Sequence, residues 1–277
     1  MSLATARSLL FAPGHEERKL QKALAAGADA VVADLEDAVP ADEKEGAREV
    51  ASRVVREASG GSLVALRVNG VGTPHWEGDL EAASALELDA LVLPKATPEA
   101  VTALGPPGPP VVAIVETALG VRQAYEIATL PRVAALVLGA VDLGAELGLE
   151  ARPDGQEVLY ARSRLVLDSA AAGIRSPFDI VHLDIRDDEG LEAEALLARS
   201  LGFRGKACIH PTQIEIVNRV FSPTKEEQER ARRVIEAYEQ ALEDGRGVVA
   251  LDGEMIDLPV VERARRVLAE TERSVPE

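Results

Sequence analysis

Cysteine occurs once, at Cys208, and histidine four times, so an internal disulfide is excluded and a thiolate zinc cluster has no ligands. Any metal site must be built mainly from oxygen. Aromatic residues make up only 3% of the chain, too few for a stacking platform. The longest apolar stretches, Leu63 to Val68 and Val133 to Leu138, have strand length and fall far short of the roughly 20 residues that span a bilayer, so no membrane helix is expected. Positive charge is also scarce. Forty-seven acidic residues stand against 30 basic ones, a formal charge of −17, which repels nucleic acid and anionic membranes, and neither is expected as a partner. The start of the chain passes directly into a strand-like segment without the features of a secretory signal, and a cytoplasmic location is expected. The nucleotide fingerprints G-x-G-x-x-G and G-x-x-x-x-G-K-[ST] are both missing.

What the 277 residues do contain is alternation. Hydrophobic residues account for 47% and charged residues for 28%, ordinary values for a chain that packs a core. Short β-branched or Leu/Val-rich runs alternate with longer stretches of helical periodicity, the pattern of repeated βα units and a parallel sheet. Eight such runs can be traced: Ser8 to Ala12, Ala30 to Leu35, Leu63 to Val68, Ala90 to Leu93, Val111 to Val115, Ala134 to Leu138, Phe178 to Leu183 and Lys206 to Ile209. Eight strands close a barrel, so the expected fold class is α/β, a (β/α)8 TIM barrel over residues 1–222. Thr97-Pro98-Glu99 reads as a helix start. Past Pro211 the strand pattern ends. Lys225 to Glu243 reads as a helix, Val248 to Asp257 as a hairpin around Asp252-Gly253, and a last helix starts at Pro259. Residues 223–277 therefore form a small helix-hairpin-helix extension, a lid or an inter-subunit arm.

Active sites of such barrels lie at the C-terminal ends of the strands. There the chain places Asp34, Glu36 and Asp37 after the second run, Arg67 and Asn69 at the third, Lys95 after the fourth, Glu116 after the fifth, Asp142 after the sixth, Asp184 after the seventh and His210 after the eighth. Charged residues that follow strongly apolar runs are partly buried and need a partner or a ligand. Glu116 and Asp142, from adjacent strands, suit chelation of one hard divalent ion; an ordinary pair of salt bridges is the plainer reading. Arg67 offers bidentate donors for a carboxylate, or pairs with Glu36 or Asp37. His210 reads as a structural histidine and Cys208 as a small buried hydrophobe.

The segments Arg7 to Gly14, Asp34-Leu35-Glu36-Asp37-Ala38-Val39, Arg67-Val68-Asn69, Leu93-Pro94-Lys95, Glu116-Thr117, Gly139 to Leu143, Gly202 to Lys206 and Ile209-His210-Pro211, taken in order, resemble the citrate lyase beta-subunit family, which belongs with the malyl-CoA lyases and HpcH/HpaI-type aldolases. The resemblance covers almost the whole chain. It implies that Glu116 and Asp142 bind magnesium (Mg2+), with Glu116 also at the substrate, that Arg67 holds a carboxylate of the oxo-acid, and that Glu36 and Asp37 lie beside the metal. In the CoA-type relatives a Met-Ile-Asp pattern, here Met255-Ile256-Asp257, supplies a catalytic carboxylate that can reach a neighbouring subunit's barrel. A homo-oligomer, a trimer or a pair of trimers forming a hexamer, is implied as well. The basic face of Arg18, Lys19 and Lys22 matches the family less sharply, as a contact for thioester phosphates or a solvated helix face.

The implied activity is magnesium-dependent carbon–carbon cleavage of a hydroxy-dicarboxylate thioester, foremost a citryl thioester, on CoA or a phosphopantetheine carrier protein, to oxaloacetate and an acetyl thioester such as acetyl-CoA. A malyl-CoA or citramalyl-CoA lyase, or a malate-synthase-like enzyme, uses the same reacting atoms. A non-catalytic oxo-acid-binding protein or a subunit of a citrate lyase complex is the alternative of a different class.

Overall fold

A computed structural model describes residues 2–273; Met1 and residues 274–277, which the expected boundaries include, lie outside them. The chain divides into two units, Met1–Phe221 and Ser222–Glu277.

The first unit carries seven parallel strands, β1 (Ser8–Pro13), β2 (Ala30–Asp34), β3 (Leu63–Arg67), β4 (Ala90–Leu93), β5 (Val111–Val115), β6 (Val133–Leu138) and β7 (Lys206–Cys208), paired in the order β6-β5-β4-β3-β2-β1-β7. The remaining gap, between β6 and β7, is closed by single bridges from Phe178 to Val137 and from Asp179 to Lys206. The ring thus has the expected eight staves, but the run Phe178 to Leu183 does not form the full seventh strand its apolar pattern suggests. After Asp179 the polar groups find other partners. The His182 carbonyl accepts a hydrogen bond from Gln213 Nε2 at 2.9 Å, and its imidazole sits 3.0 Å from Glu194. Side-chain bonds replace the ladder there.

The outer layer consists of α1 (Glu17–Leu24), α2 (Lys44–Glu57), α3 (Trp76–Ser84), α4 (Pro98–Ala103), α5 (Ala118–Arg122), α6 (Ala124–Ala128), α7 (Ala140–Leu147), α8 (Leu159–Ala172), α9 (Asp188–Leu201) and α10 (Gln213–Val220). Thr97 and Thr117 cap α4 and α5 by accepting the N–H groups of Ala100 and Gly120, which satisfies donors that a helix start otherwise leaves open. Glycines in the left-handed region, Gly173 and Gly202, end α8 and α9, a conformation that side-chain-bearing residues resist.

The period-two pattern of the strands decides which side chain goes where. Leu9, Ala30, Val32, Ala65, Val92, Val112, Ile114, Ala135, Val137, Phe178 and Ala207 form one cluster, the barrel interior. Their neighbours Leu10, Val31, Leu66, Leu93, Ala113 and Leu136 join Leu20, Ala47, Ile127, Leu165 and Ala195 in the strand–helix layer. Each fully buried large side chain in these layers contributes about 1.5–3 kcal/mol relative to exposure.

The second unit packs α11 (Lys225–Glu243) and α12 (Leu258–Arg273) with the hairpin of β8 (Val249–Leu251) and β9 (Glu254–Ile256) around Ala231, Val234, Tyr238, Ile256, Val261 and Ala264. Thr224 and Glu227 form a reciprocal capping box at the start of α11. The hairpin turns at Asp252 and Gly253, both at positive φ, as an Asp-Gly turn requires. Arg230 and Arg233 on α11 pair with Glu254 and Asp252 of the hairpin. No helix of the described residues is long and apolar enough to cross a membrane.

Candidate active site

Three of the inward-facing rows end in charge. Asp34 follows Ala30 and Val32, Arg67 follows Leu63 and Ala65, and Glu116 follows Val112 and Ile114. Strand parity alone therefore brings these side chains to the C-terminal mouth of the barrel. Asp34 is 1% exposed and takes Arg67 on both oxygens, with Nε to Oδ1 at 2.6 Å and Nη2 to Oδ2 at 2.5 Å. The same carboxylate accepts the N–H groups of Glu36 at 2.8 Å and Ala38 at 3.2 Å. The principal partner of Arg67 is thus Asp34, which the sequence placed at the rim without assigning it a role. Glu36 lies 3.0 Å and the exposed Asp37 3.6 Å from Arg67 Nη1, and Phe11 supports the guanidinium at 5.2 Å. Two N–H groups of Arg67 are committed to Asp34, and Nη1 faces Glu36 and Asp37.

Glu116 is buried, and Oε1 accepts the backbone N–H of Lys95 at 2.7 Å. Lys95 adopts φ 47°, an uncommon conformation for a residue with a side chain. Its ammonium reaches to 3.8 Å from Glu36. An added Cβ at Gly139, which ends the inward row of β6, would lie 2.6 Å from Glu116 Oε2. Glycine at this corner is what lets Glu116 occupy the mouth. Asp142 sits in the first turn of α7, half-buried, near enough to add to the repulsion on Glu116.

Burial raises two carboxylates of the cluster. Burial pushes Glu116 up to about 8, with Glu36 and Asp142 adding to the rise and the Lys95 N–H and Arg67 opposing it. Burial likewise pushes Glu36 up to about 7, against Arg67 and with Asp37 and Asp34. Burial works against the Arg67 charge, yet Asp34, Glu36 and Asp37 outweigh it and hold the pKa above its ordinary value. Arg67 and Lys95 face Asp34, Glu36, Asp37, Glu116 and Asp142, so an added cation would relieve the carboxylates. No group of three or more His, Cys, Asp or Glu among the described residues is arranged to hold a metal; Glu116 and Asp142 provide two oxygen donors, enough for a hard ion that keeps water or substrate in its other positions.

Other rim residues have local partners. Asp184 accepts the N–H of Arg186 at 3.0 Å in a turn, and His210 Nδ1 is 2.8 Å from Thr212 Oγ1. Cys208 is buried and pushed up to about 12 by burial, which removes it as a nucleophile. Asp257 belongs to the second unit, where Oδ1 accepts the N–H of Val260 at 3.3 Å at the start of α12, the place of a helix cap.

Sequence pattern gave no sign of a second charged group. Arg162 on α8 donates to Asp179 at 2.9 and 3.1 Å and to Glu194 on α9 at 2.9 Å, and Lys206 lies 3.1 Å from both carboxylates. Asp179 and Lys206 point outward from the barrel, into the helix layer.

Comparison with known proteins shows the family. The family model described as HpcH/HpaI aldolase/citrate lyase matches residues 7–104 and 108–211. A (3S)-malyl-CoA thioesterase of Cereibacter sphaeroides is 42% identical over 96% of this chain and 94% of its own length. The citrate lyase subunit beta of Leuconostoc mesenteroides subsp. cremoris is 38% identical over 95% of this chain and 92% of its own. Among solved structures, protein CitE from Mycobacterium tuberculosis in complex with magnesium, acetoacetate and coenzyme A superposes with a TM-score of 0.85 at 36% identity, covering 98% of this chain and all of that one.

Proposed function

The chain belongs to the HpcH/HpaI aldolase/citrate lyase family, and from that premise we propose that it is a magnesium-dependent carbon–carbon lyase acting on a hydroxy-dicarboxylate thioester, a citryl thioester cleaved to oxaloacetate and an acetyl thioester. The observation that carries this reading is the pair Glu116 and Asp142 at the barrel mouth, beside Arg67 and in a cluster with more carboxylates than cations. Magnesium fits these residues by the hardness of their oxygen donors, and when bound it supplies Lewis-acid polarisation of the hydroxyl and carboxylate oxygens of the oxo-acid half. It is the ion in the CitE complex.

Arg67, oriented by Asp34, meets a carboxylate of the substrate with its uncommitted N–H groups and offsets its charge. In the cleavage the substrate hydroxyl loses its proton, its oxygen becomes the ketone of oxaloacetate, and the electrons of the breaking carbon–carbon bond pass to the acyl carbon as a thioester enolate. That carbon takes up a proton to give the acetyl thioester. Asp257 is the residue we assign to the proton transfer, supplied to a barrel mouth in a homo-oligomer. The Asp257→Asn variant should lose about 10²–10⁴ in turnover with magnesium-dependent oxo-acid binding intact; unchanged turnover would place the acid–base group elsewhere.

The (3S)-malyl-CoA thioesterase relative favours a second reading, a malyl thioester as substrate. Product analysis separates the possibilities. Oxaloacetate with acetyl thioester marks citryl cleavage, glyoxylate with acetyl thioester marks malyl cleavage, and malate with free thiol marks hydrolysis. The site itself is tested by titration calorimetry of oxaloacetate and glyoxylate with and without magnesium. Binding should require magnesium and disappear in Glu116→Ala. Failure of both acids to bind under every condition would refute the site.

A further inference from the structure

The loop that carries Glu36 is held from behind by groups that play no part in the proposed chemistry. Lys44, the first residue of α2, is buried, and its ammonium donates to the carbonyls of Leu35 at 2.8 Å and Glu36 at 2.6 Å. Burying an ammonium is costly unless its protons are taken up, and here they are spent on the backbone of one short loop. Asn69 Nδ2 donates to the same Leu35 carbonyl at 2.9 Å. Asn69 is in turn gripped by Asp79, wholly buried on α3, whose Oδ2 accepts the Asn69 backbone N–H at 2.8 Å and the side-chain amide at 2.6 Å. Arg48 stands 3.7 Å behind Asp79.

Leu35 N–H bonds to the Arg67 carbonyl, Glu36 N–H to Asp34, the Leu35 carbonyl to Lys44 and Asn69, and the Glu36 carbonyl to Lys44 and the Val39 N–H. Every polar backbone atom of Leu35 and Glu36 is committed, as buried backbone requires. From this fixed backbone the Glu36 carboxylate sets one oxygen 3.0 Å from Arg67 Nη1 and the other 3.8 Å from the Lys95 ammonium.

We propose that Lys44, backed by the Asn69–Asp79 pair, is a positioning residue that fixes the Glu36 carboxylate against Arg67 at the barrel mouth. Lys44 touches no reacting atom; it acts through Glu36, and Glu36 through the orientation of the Arg67 edge offered to substrate. The kinetic part of this inference rests on the lyase reading above; the structural part does not.

The test is Lys44→Met, which keeps most of the stem and removes the donors. The crystal structure of the magnesium-free variant should show the Glu36 carboxylate displaced from Arg67 by on the order of 1 Å or more, the Glu116 contact to Lys95 N–H being kept. With citryl-CoA and malyl-CoA as substrates, kcat should fall on the order of 10- to 100-fold, the scale of a misplacement of that size, while KM and the calorimetric affinity for oxaloacetate move less than about threefold. An unmoved Glu36, an unchanged kcat, or a collapse of kcat, KM and oxaloacetate binding together overturns the proposal, the last because it would mean a general scaffold. Asn69→Ala, in the segment that follows β3, gives the same readings should Lys44→Met fail to fold. If the unaltered protein cleaves neither thioester, the lyase reading fails and the crystallographic comparison alone decides the role of Lys44.

Discussion

Two charged clusters lie within one barrel, and they are built on opposite principles. At the mouth, Asp34, Glu36, Asp37, Glu116 and Asp142 outnumber Arg67 and Lys95, and burial holds Glu116 and Glu36 well above the usual carboxylate range. Behind the seventh stave, Arg162 and Lys206 are matched by Asp179 and Glu194 at 2.9 to 3.1 Å. The first cluster is short of positive charge, with Asp34, Glu36 and Glu116 buried and Asp37 and Lys95 exposed; the second is balanced, and Arg162, Asp179 and Lys206 are at most 1% exposed. Strand parity separates them. Asp34, Arg67 and Glu116 end inward rows, whereas Asp179 and Lys206 project into the helix layer beside Phe178 and Ala207, which face in. The lesson is that burial of charge does not by itself mark a site. The balanced network does the work of the missing strand, tying a two-residue stave to α8, α9 and β7, and the unbalanced one keeps more carboxylates than cations.

The comparison breaks first if the balanced network proves dispensable. Asp179→Ala leaves two buried cations with one carboxylate between them, and the loss of one partner of a buried ionic group costs about 3–5 kcal/mol. Urea unfolding should show that loss, while the folded variant keeps magnesium-dependent oxo-acid binding. A cost under about 1 kcal/mol, or loss of binding without loss of stability, would mean the two clusters are not separate in purpose. Gly139→Ala sharpens the contrast from the other side. Its Cβ falls on the Glu116 side chain, so Glu116 must shift. Oxaloacetate affinity in magnesium should drop on the order of 10- to 100-fold, equivalent to about 1.4–2.8 kcal/mol, and the unfolding midpoint should move much less than in Asp179→Ala.

Much of the mouth is legible in the sequence because it follows from spacing. An acidic or basic residue two positions past an inward apolar residue must reach the rim, and this places Asp34, Arg67 and Glu116 without coordinates. The seventh stave and its network are not legible in that way. Phe178 to Leu183 looks like a strand by composition, and only the tertiary position of Glu194 and Gln213 shows why His182 leaves the ladder. Lys44 and Asp79 are hidden for the same reason. Each sits on a helix, where a charged residue ordinarily faces solvent, and burial emerges only once α2 and α3 pack on the barrel. The Asp34–Arg67 pairing was within reach of the sequence, since adjacent parallel strands put both residues in register, but the alternatives Glu36 and Asp37 were equally near along the chain.

A dependence on pH comes last, and its sign tests whether the carboxylates at the mouth are left uncompensated by their neighbours. Glu116 and Glu36 have ordinary values near 4.5 and are raised to about 8 and about 7 in the folded chain. The folded state therefore binds more protons than the unfolded one between those limits, and stability falls as pH rises. The favourable contribution is complete below about pH 4.5 and is lost through pH 7 for Glu36 and through pH 8 for Glu116. Glu116→Gln, which cannot ionise, should be less sensitive than the unaltered protein by on the order of 1–3 kcal/mol between pH 5 and pH 8.5 in chelator-treated samples. Magnesium at saturating concentration should shrink the same difference, because an ion bound to the carboxylate form favours the folded state where protons no longer do. A stability that rises over this range through Glu116 would show a carboxylate already compensated by its neighbours, and the mouth would then resemble the network behind the seventh stave.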